Sequence, residues 1–173
     1  MQTDIEGVIE FITPVHDDVR GFFTEVIRLS DINKHHKDFQ VKQINHARSG
    51  KNTLRGIHVA DWNKLIYVPH GIIQAVIVDC RKESETFGKY KSVILGDENK
   101  NALFVPSGCG NSYLVLSEGA DYIYFIDKEW EDGHEKEIKW DDPDLNIGWM
   151  ERENLNISDR DQNAKSFKEV FKD

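Results

Sequence analysis

An arginine, a histidine and a lysine crowd into Leu54-Arg55-Gly56-Ile57-His58 and Lys64-Leu65-Ile66-Tyr67-Val68, between apolar segments that read as strands. Strand ends mount side chains rigidly, and adjoining loops leave them open to a ligand. Histidine exchanges protons near neutral pH. Arginine grips phosphate in a fork, and a lysine ammonium is a point charge that can meet a developing oxyanion. The stretch predicts half of an active site for an anionic, phosphate-bearing substrate that must lose a proton. Each residue also has a plainer role open to it. His58 and Lys64 would serve as ordinary structural or surface residues, Tyr124 (in Tyr122-Ile123-Tyr124-Phe125) as core packing, and Arg20 beside Gly21 as a turn residue. Asp161 would be an acid favoured at a helix start by the macrodipole. The chemical reading depends on all of them occurring together and in order.

Charge and composition narrow the classes. A net charge of −9 over 173 residues argues against a nucleic-acid binder. Between Arg20 and Lys64, however, nine Lys/Arg stand against four Asp/Glu, while the first 19 residues hold five acids and no Lys or Arg. A basic segment in an acidic protein suits a small polyanion, because local potential matters more than the total; a solvated charged face is the bland alternative. No long uncharged apolar run exists, so no membrane span is expected. The acidic opening Met1-Gln2-Thr3-Asp4-Ile5-Glu6 does not read as a signal peptide. Two cysteines, Cys80 and Cys109, are too few for a disulfide scaffold, and the expected setting is the cytosol with both thiols reduced.

The elements that must position these residues are short strands. Strands are expected at 7–13, 22–27, 39–47, 64–68, 71–80, 89–95, 102–105, 111–116 and 122–126, punctuated by turns such as Asp17 to Gly21, Ser49-Gly50-Lys51-Asn52 and Pro106-Ser107-Gly108. On 39–47 the alternation sets Gln43 and Asn45 on one face, with their amides toward something polar. A short helix is expected at 30–36 with Ser30 as its N-cap, and a terminal helix at 161–171, where Ala164, Phe167, Val170 and Phe171 recur at helical spacing. This rhythm predicts an all-β antiparallel sandwich or barrel in a single domain, since no regular helices separate the strands. Residues 1–150 form its body, and 151–173 a tail and short helix that complete it.

Pro106-Ser107-Gly108-Cys109-Gly110-Asn111 has the outline of the second cupin motif, with Asn111 where a metal-binding member carries histidine. No H-x-H accompanies it, and the adjacent His35-His36 cannot both face one ion from a helix, so no metal is expected. The ordered motifs resemble the dTDP-4-dehydrorhamnose 3,5-epimerase family. Asp18-x-Arg20-Gly21-x-Phe23-x-Glu25 is similar to its D-x-R-G-x-F-x-E, Gln43-x-Asn45 with Ser49 to Q-x-N-x-S-x-S, and Leu54-Arg55-Gly56-Ile57-His58 to L-R-G-L-H. Lys64-Leu65, the segment from Val78 to Gly88, Tyr124, the run from Trp140 to Trp149 and Ile157-Ser158-x-Arg160-Asp161 continue the likeness almost end to end.

The resemblance implies a cupin-type jelly roll, homodimeric, with N-terminal strands exchanged between subunits. It implies a nucleoside-diphosphate 4-keto sugar as substrate, epimerised beside its C4 ketone without a cofactor. His58 would be the base, Asp161 its orienting partner, Lys64 the cation at the C4 oxygen, and Tyr124 the acid on the opposite face. Arg20, Phe23, Glu25, Gln43, Asn45, Arg55 and Asn111 would bind substrate, Arg20 from the partner subunit. No Gly-rich dinucleotide loop is present, and no nicotinamide is expected. Three departures stand out. Asn111 replaces the family's histidine, Ala60 replaces a glutamine, and the segment from His58 to Lys64 is short. The short loop and Gly110-Asn111-Ser112 resemble the branch acting on GDP-linked 4-keto heptoses. A non-catalytic sugar-nucleotide-binding cupin and a 3,4-ketoisomerase are the alternatives.

Overall fold

Twelve strands and three single-turn helices form among residues 4–172, the part of the chain described in the computed structural model. The opening residues 1–3, part of the stretch read above for a signal peptide, lie outside it. The elements are β1 (Ile9–Phe11), β2 (Val15–Asp18), β3 (Gly21–Thr24), α1 (Leu29–Ile32), β4 (Gln43–Gly50), β5 (Leu54–Ala60), β6 (Lys64–His70) and β7 (Ile72–Asp79). They continue with β8 (Tyr90–Gly96), β9 (Ala102–Val105), β10 (Cys109–Val115), β11 (Gly119–Ile126), β12 (Glu135–Glu137), α2 (Asp159–Gln162) and α3 (Phe167–Val170). One five-stranded sheet runs β1-β9-β6-β11-β4 and the other β12-β5-β10-β7-β8, with β2 and β3 paired only to each other. The strand pairs are antiparallel. This is the antiparallel sandwich expected from the strand rhythm, in the cupin-type jelly-roll form that the family resemblance implies.

The central strands are buried on both faces, which is why their sequences run apolar rather than alternate. On β7, Ile73, Ala75 and Ile77 face the opposing sheet, in a core shared with Ile66, Val68, Leu103 and Tyr122. Val76 and Val78 point the other way, beneath the C-terminal tail, with Leu145, Trp149 and Phe167. The tail is fastened by Asp142, whose carboxylate accepts from the backbone N–H groups of Phe167 (2.8 Å), Asp144 (3.0 Å) and Leu145 (3.1 Å). The outer face of the first sheet is covered by the segment holding Ile32 and Phe39, packed on Leu65 and Phe104.

Several boundaries differ from expectation. The terminal helix over 161–171 is two separate turns, because Lys165 is drawn into a parallel bridge with Ile138 and Ser166 then starts a new turn by a capping box with Glu169. The helix at 30–36 is one turn beginning at Leu29, with Arg28 and not Ser30 at the cap position; this sets Ile32, fully buried, against the sheet. The strand expected at 39–47 begins only at Gln43, since Phe39 is spent on an edge-on contact with Phe104. The first strand shortens to β1, and the turn before Phe22 is the tip of the β2–β3 hairpin. Cys80 and Cys109 are free and buried.

Removing the Phe167 ring should uncouple the tail from β5 and β7. Phe167→Ala is expected to lower the unfolding free energy by about 3–5 kcal/mol, measured by urea denaturation.

Candidate active site

Arg55 and His58 are three residues apart, so in a regular strand they would face opposite sides. A bulge reverses that parity. Opposite β10, His58 pairs with Asn111 and Arg55 with Tyr113, so three steps on β5 match two on β10. Both side chains therefore enter one cavity, while Leu54, Ile57 and Val59 keep to the tail-covered core. Gly56 sits inside the bulge at φ +99°, and a Cβ there would stand 2.7 Å from the Asn111 carbonyl oxygen. The glycine of the L-R-G-I-H motif is thus a steric requirement.

Asp161, 3% exposed at the first turn of α2, accepts a hydrogen bond at 2.7 Å from His58 Nε2 and another at 3.2 Å from the Gly56 backbone N–H. Burial pushes its carboxyl upward, but the hydrogen bond and charge of His58 and the Gly56 N–H outweigh this and hold it below the usual carboxylate range. A carboxylate can only accept, so Nε2 carries a proton, and in the neutral imidazole it is the Nδ1 lone pair that faces a ligand. The His58 side chain remains one quarter exposed.

Lys64 enters the same cavity from β6 at 8% exposure. Desolvation lowers its pKa to about 8, against a smaller upward pull from Glu135. Its Nζ lies 4.8 Å from the Tyr124 ring centre and donates to Asn111 Oδ1 at 3.2 Å. Burial raises the pKa of Tyr124, so its phenol is protonated at neutral pH and able to give a proton. Tyr122 donates to Asn111 Oδ1 at 2.8 Å and stacks on Tyr113 at 4.3 Å; the Tyr113 hydroxyl meets Ser49 Oγ, which accepts from Arg55 Nε.

The cavity, about 290 Å³, brings together Arg55, His58, Lys64, Asn111 and Tyr124. A second, of about 350 Å³, shares Arg55, His58 and Arg160 with it. Gln43 and Asn45 lie on the Tyr124 face of β4, bonded to each other, with Gln43 Oε1 accepting from the Trp130 N–H. The structure does not bring Arg20, Phe23 and Glu25 to the cavity of their own chain. Arg20 pairs with Asp18, Glu25 with Arg28, and Phe23 is 68% exposed on the hairpin. Sequence reasoning missed Tyr113 and Tyr122, although each is two residues from a site position on its strand, and that period was the available signal. It also missed Trp130, Glu135 and Arg160 as cavity residues, which arrive from an irregular segment, the short strand β12 and the single-turn α2 and leave no periodic trace.

Together these groups can take a proton at His58, receive developing negative charge at Lys64 and supply a proton from Tyr124. Replacing Gly56 should disturb this without touching any of the three. Gly56→Ala is expected to lower stability by about 1–3 kcal/mol, read by thermal melting, and to shift the His58 imidazole resonances in NMR spectra.

The sequence model for dTDP-4-dehydrorhamnose 3,5-epimerase matches residues 2–169. The epimerase of that description from Methanothermobacter thermautotrophicus is 33% identical, over 98% of this chain and 94% of the relative. A Legionella pneumophila dTDP-6-deoxy-D-glucose-3,5-epimerase, solved in complex with dTDP-4-keto-L-rhamnose, superposes with a TM-score of 0.91 at 32% identity, covering 97% of this chain and 92% of that one. A Streptomyces bikiniensis 3'-monoepimerase solved with dTDP-quinovose gives 0.91 at 31% identity, covering 98% and 89%.

Proposed function

We infer the reaction from one premise: the chain belongs to the dTDP-4-dehydrorhamnose 3,5-epimerase family and is a sugar-nucleotide epimerase. The substrate we propose is a nucleoside-diphosphate 4-keto sugar, inverted at C3, C5 or both by deprotonation and reprotonation beside the ketone. The observation that carries the reading is a carboxylate-oriented imidazole sharing one cavity with a desolvated ammonium and a protonated phenol. His58 Nδ1 takes the hydrogen from the carbon next to C4. The bond's electron pair moves onto the C4 oxygen, where Lys64 receives the enolate charge in a site largely shielded from water. Tyr124 then returns a proton to the same carbon from the opposite face, and solvent resets both groups. Arg55 holds the diphosphate, with Gln43, Asn45 and Trp130 toward the nucleoside. The reading sets the enzyme in the cytosol, where Cys80 and Cys109 stay reduced.

The working unit we propose is a homodimer in which each β2–β3 hairpin delivers Arg20, Phe23 and Glu25 to the other copy. In support, the hairpin pairs with no other strand among the described residues, β4 leaves an open sheet edge, and Val19, Phe22 and Phe23 are exposed at 105%, 53% and 68%.

Solvent exchange tests the chemistry. In D2O the wild type should place one deuteron at each inverted carbon of the product, detected by mass spectrometry, and His58→Asn should place none. Tyr124→Phe should keep exchange, because His58 can return a deuteron to the face it came from, while inversion falls by about 10²–10⁴-fold. Binding without any exchange leaves only the binding-module reading, and a ketone at a new carbon in product NMR spectra means an isomerase. Because Lys64 must be charged to meet the enolate, the rate should decline as pH rises through about 8. Mixing tests the dimer. Inactive Arg20→Ala and His58→Asn subunits should regain activity together, since one site of the mixed dimer is then intact; no recovery would assign Arg20 to its own chain's site.

A further inference from the structure

We propose that Asn111 is a positioning residue for Lys64, whose carboxamide oxygen anchors the ammonium from inside the sandwich as a neutral acceptor and leaves its charge free for a ligand oxygen. The catalytic meaning of this rests on the epimerase reading; the contact itself does not. Lysine can only donate, so the Asn111 atom facing Nζ at 3.2 Å must be the oxygen Oδ1. Tyr122 donates to that same oxygen at 2.8 Å. Two donors fill the lone pairs of one carbonyl oxygen, so Asn111, 7% exposed, offers no free acceptor to a substrate. Its Nδ2 is turned to the Ser112 carbonyl at 3.4 Å. On this proposal the part Asn111 plays in substrate binding is indirect, through the ammonium it holds.

The anchor is itself held. Tyr122 stacks on Tyr113, Tyr113 bonds Ser49, and Ser49 accepts from Arg55, so the position of Lys64 is tied through this series to that of Arg55. The neutrality of the acceptor also has a consequence. Around Lys64 in the cavity stand His58 and Arg55 from β5, Tyr122 and Tyr124 from β11, Glu135 from β12 and Arg160 from α2. Among the described residues no carboxylate forms an ion pair with Nζ, and Glu135 acts on it only at longer range. An aspartate at 111 would supply the missing counter-ion, keep the ammonium charged to higher pH and compete with an incoming enolate oxygen.

The test reads Lys64 directly. In protein labelled with 13C-lysine, free of ligand, the Lys64 13Cε resonance is identified by its absence in Lys64→Met and titrated. The wild-type midpoint is expected at about 8, and Asn111→Asp should raise it by about 1–3 pH units. With substrate, Asn111→Asp should lower kcat roughly tenfold or more while KM stays within about threefold, and the alkaline limb should move up with the Lys64 midpoint. Should Asn111→Asp not fold, Asn111→Ala is titrated instead; loss of the acceptor for the charged form should move the midpoint down. An unmoved midpoint in a folded variant overturns the proposal. So does a raised KM with kcat and the alkaline limb unchanged, which would make Asn111 a substrate contact. Absence of deuterium exchange by the wild type defeats the reaction assigned above, and the ligand-free titration then decides the Asn111–Lys64 coupling alone.

Discussion

One buried carboxylate, Asp161, ties the tail of the chain to the strand that carries the proposed base. Taking such a group out of water costs several kcal/mol unless donors surround it. Here the Gly56 N–H and His58 meet it, and both exist in the right place only because β5 bulges at Gly56. The tail in turn reaches the strand because Leu145, Trp149 and Phe167 cover an apolar sheet face that would otherwise lie open. Packing, backbone irregularity and the orientation of one imidazole are therefore a single arrangement.

The interior of the sandwich changes character along its length. Over most of it the two sheets meet through aliphatic side chains, and at one end the same gap is lined by Tyr113, Tyr122, Asn111 and Lys64. Tyr113 and Tyr122 belong to both regions, with rings in the core and hydroxyls in the polar network. Amphipathic residues of this kind join an apolar core to a reactive cleft without stranding a polar atom. The same dryness lowers the Lys64 pKa and keeps Tyr124 protonated, so both groups owe their chemical state to how deep they lie.

Much of this was legible in the letters. Strand rhythm and turn residues gave the sandwich, and the ordered Arg55, His58, Lys64, Tyr124 and Asp161 converge on one place. What escaped was whatever depends on contacts distant in sequence. The C-terminal helix split because Lys165 found a backbone partner at Ile138, which no local propensity reports. The shared face of Arg55 and His58 depends on a register shift against β10, invisible to a period-2 reading. The motif around Asn111 points to a place in the site, but not to the two donors that meet its Oδ1, Lys64 and Tyr122, which come from the opposing sheet.

His58 and Asp161 are 103 positions apart in the chain. A nascent polypeptide emerging from the ribosome exposes β5 long before it exposes α2, and by then the strands of both sheets have been made. The imidazole acquires its orientation last, so an unfinished molecule is a scaffold without a tuned base.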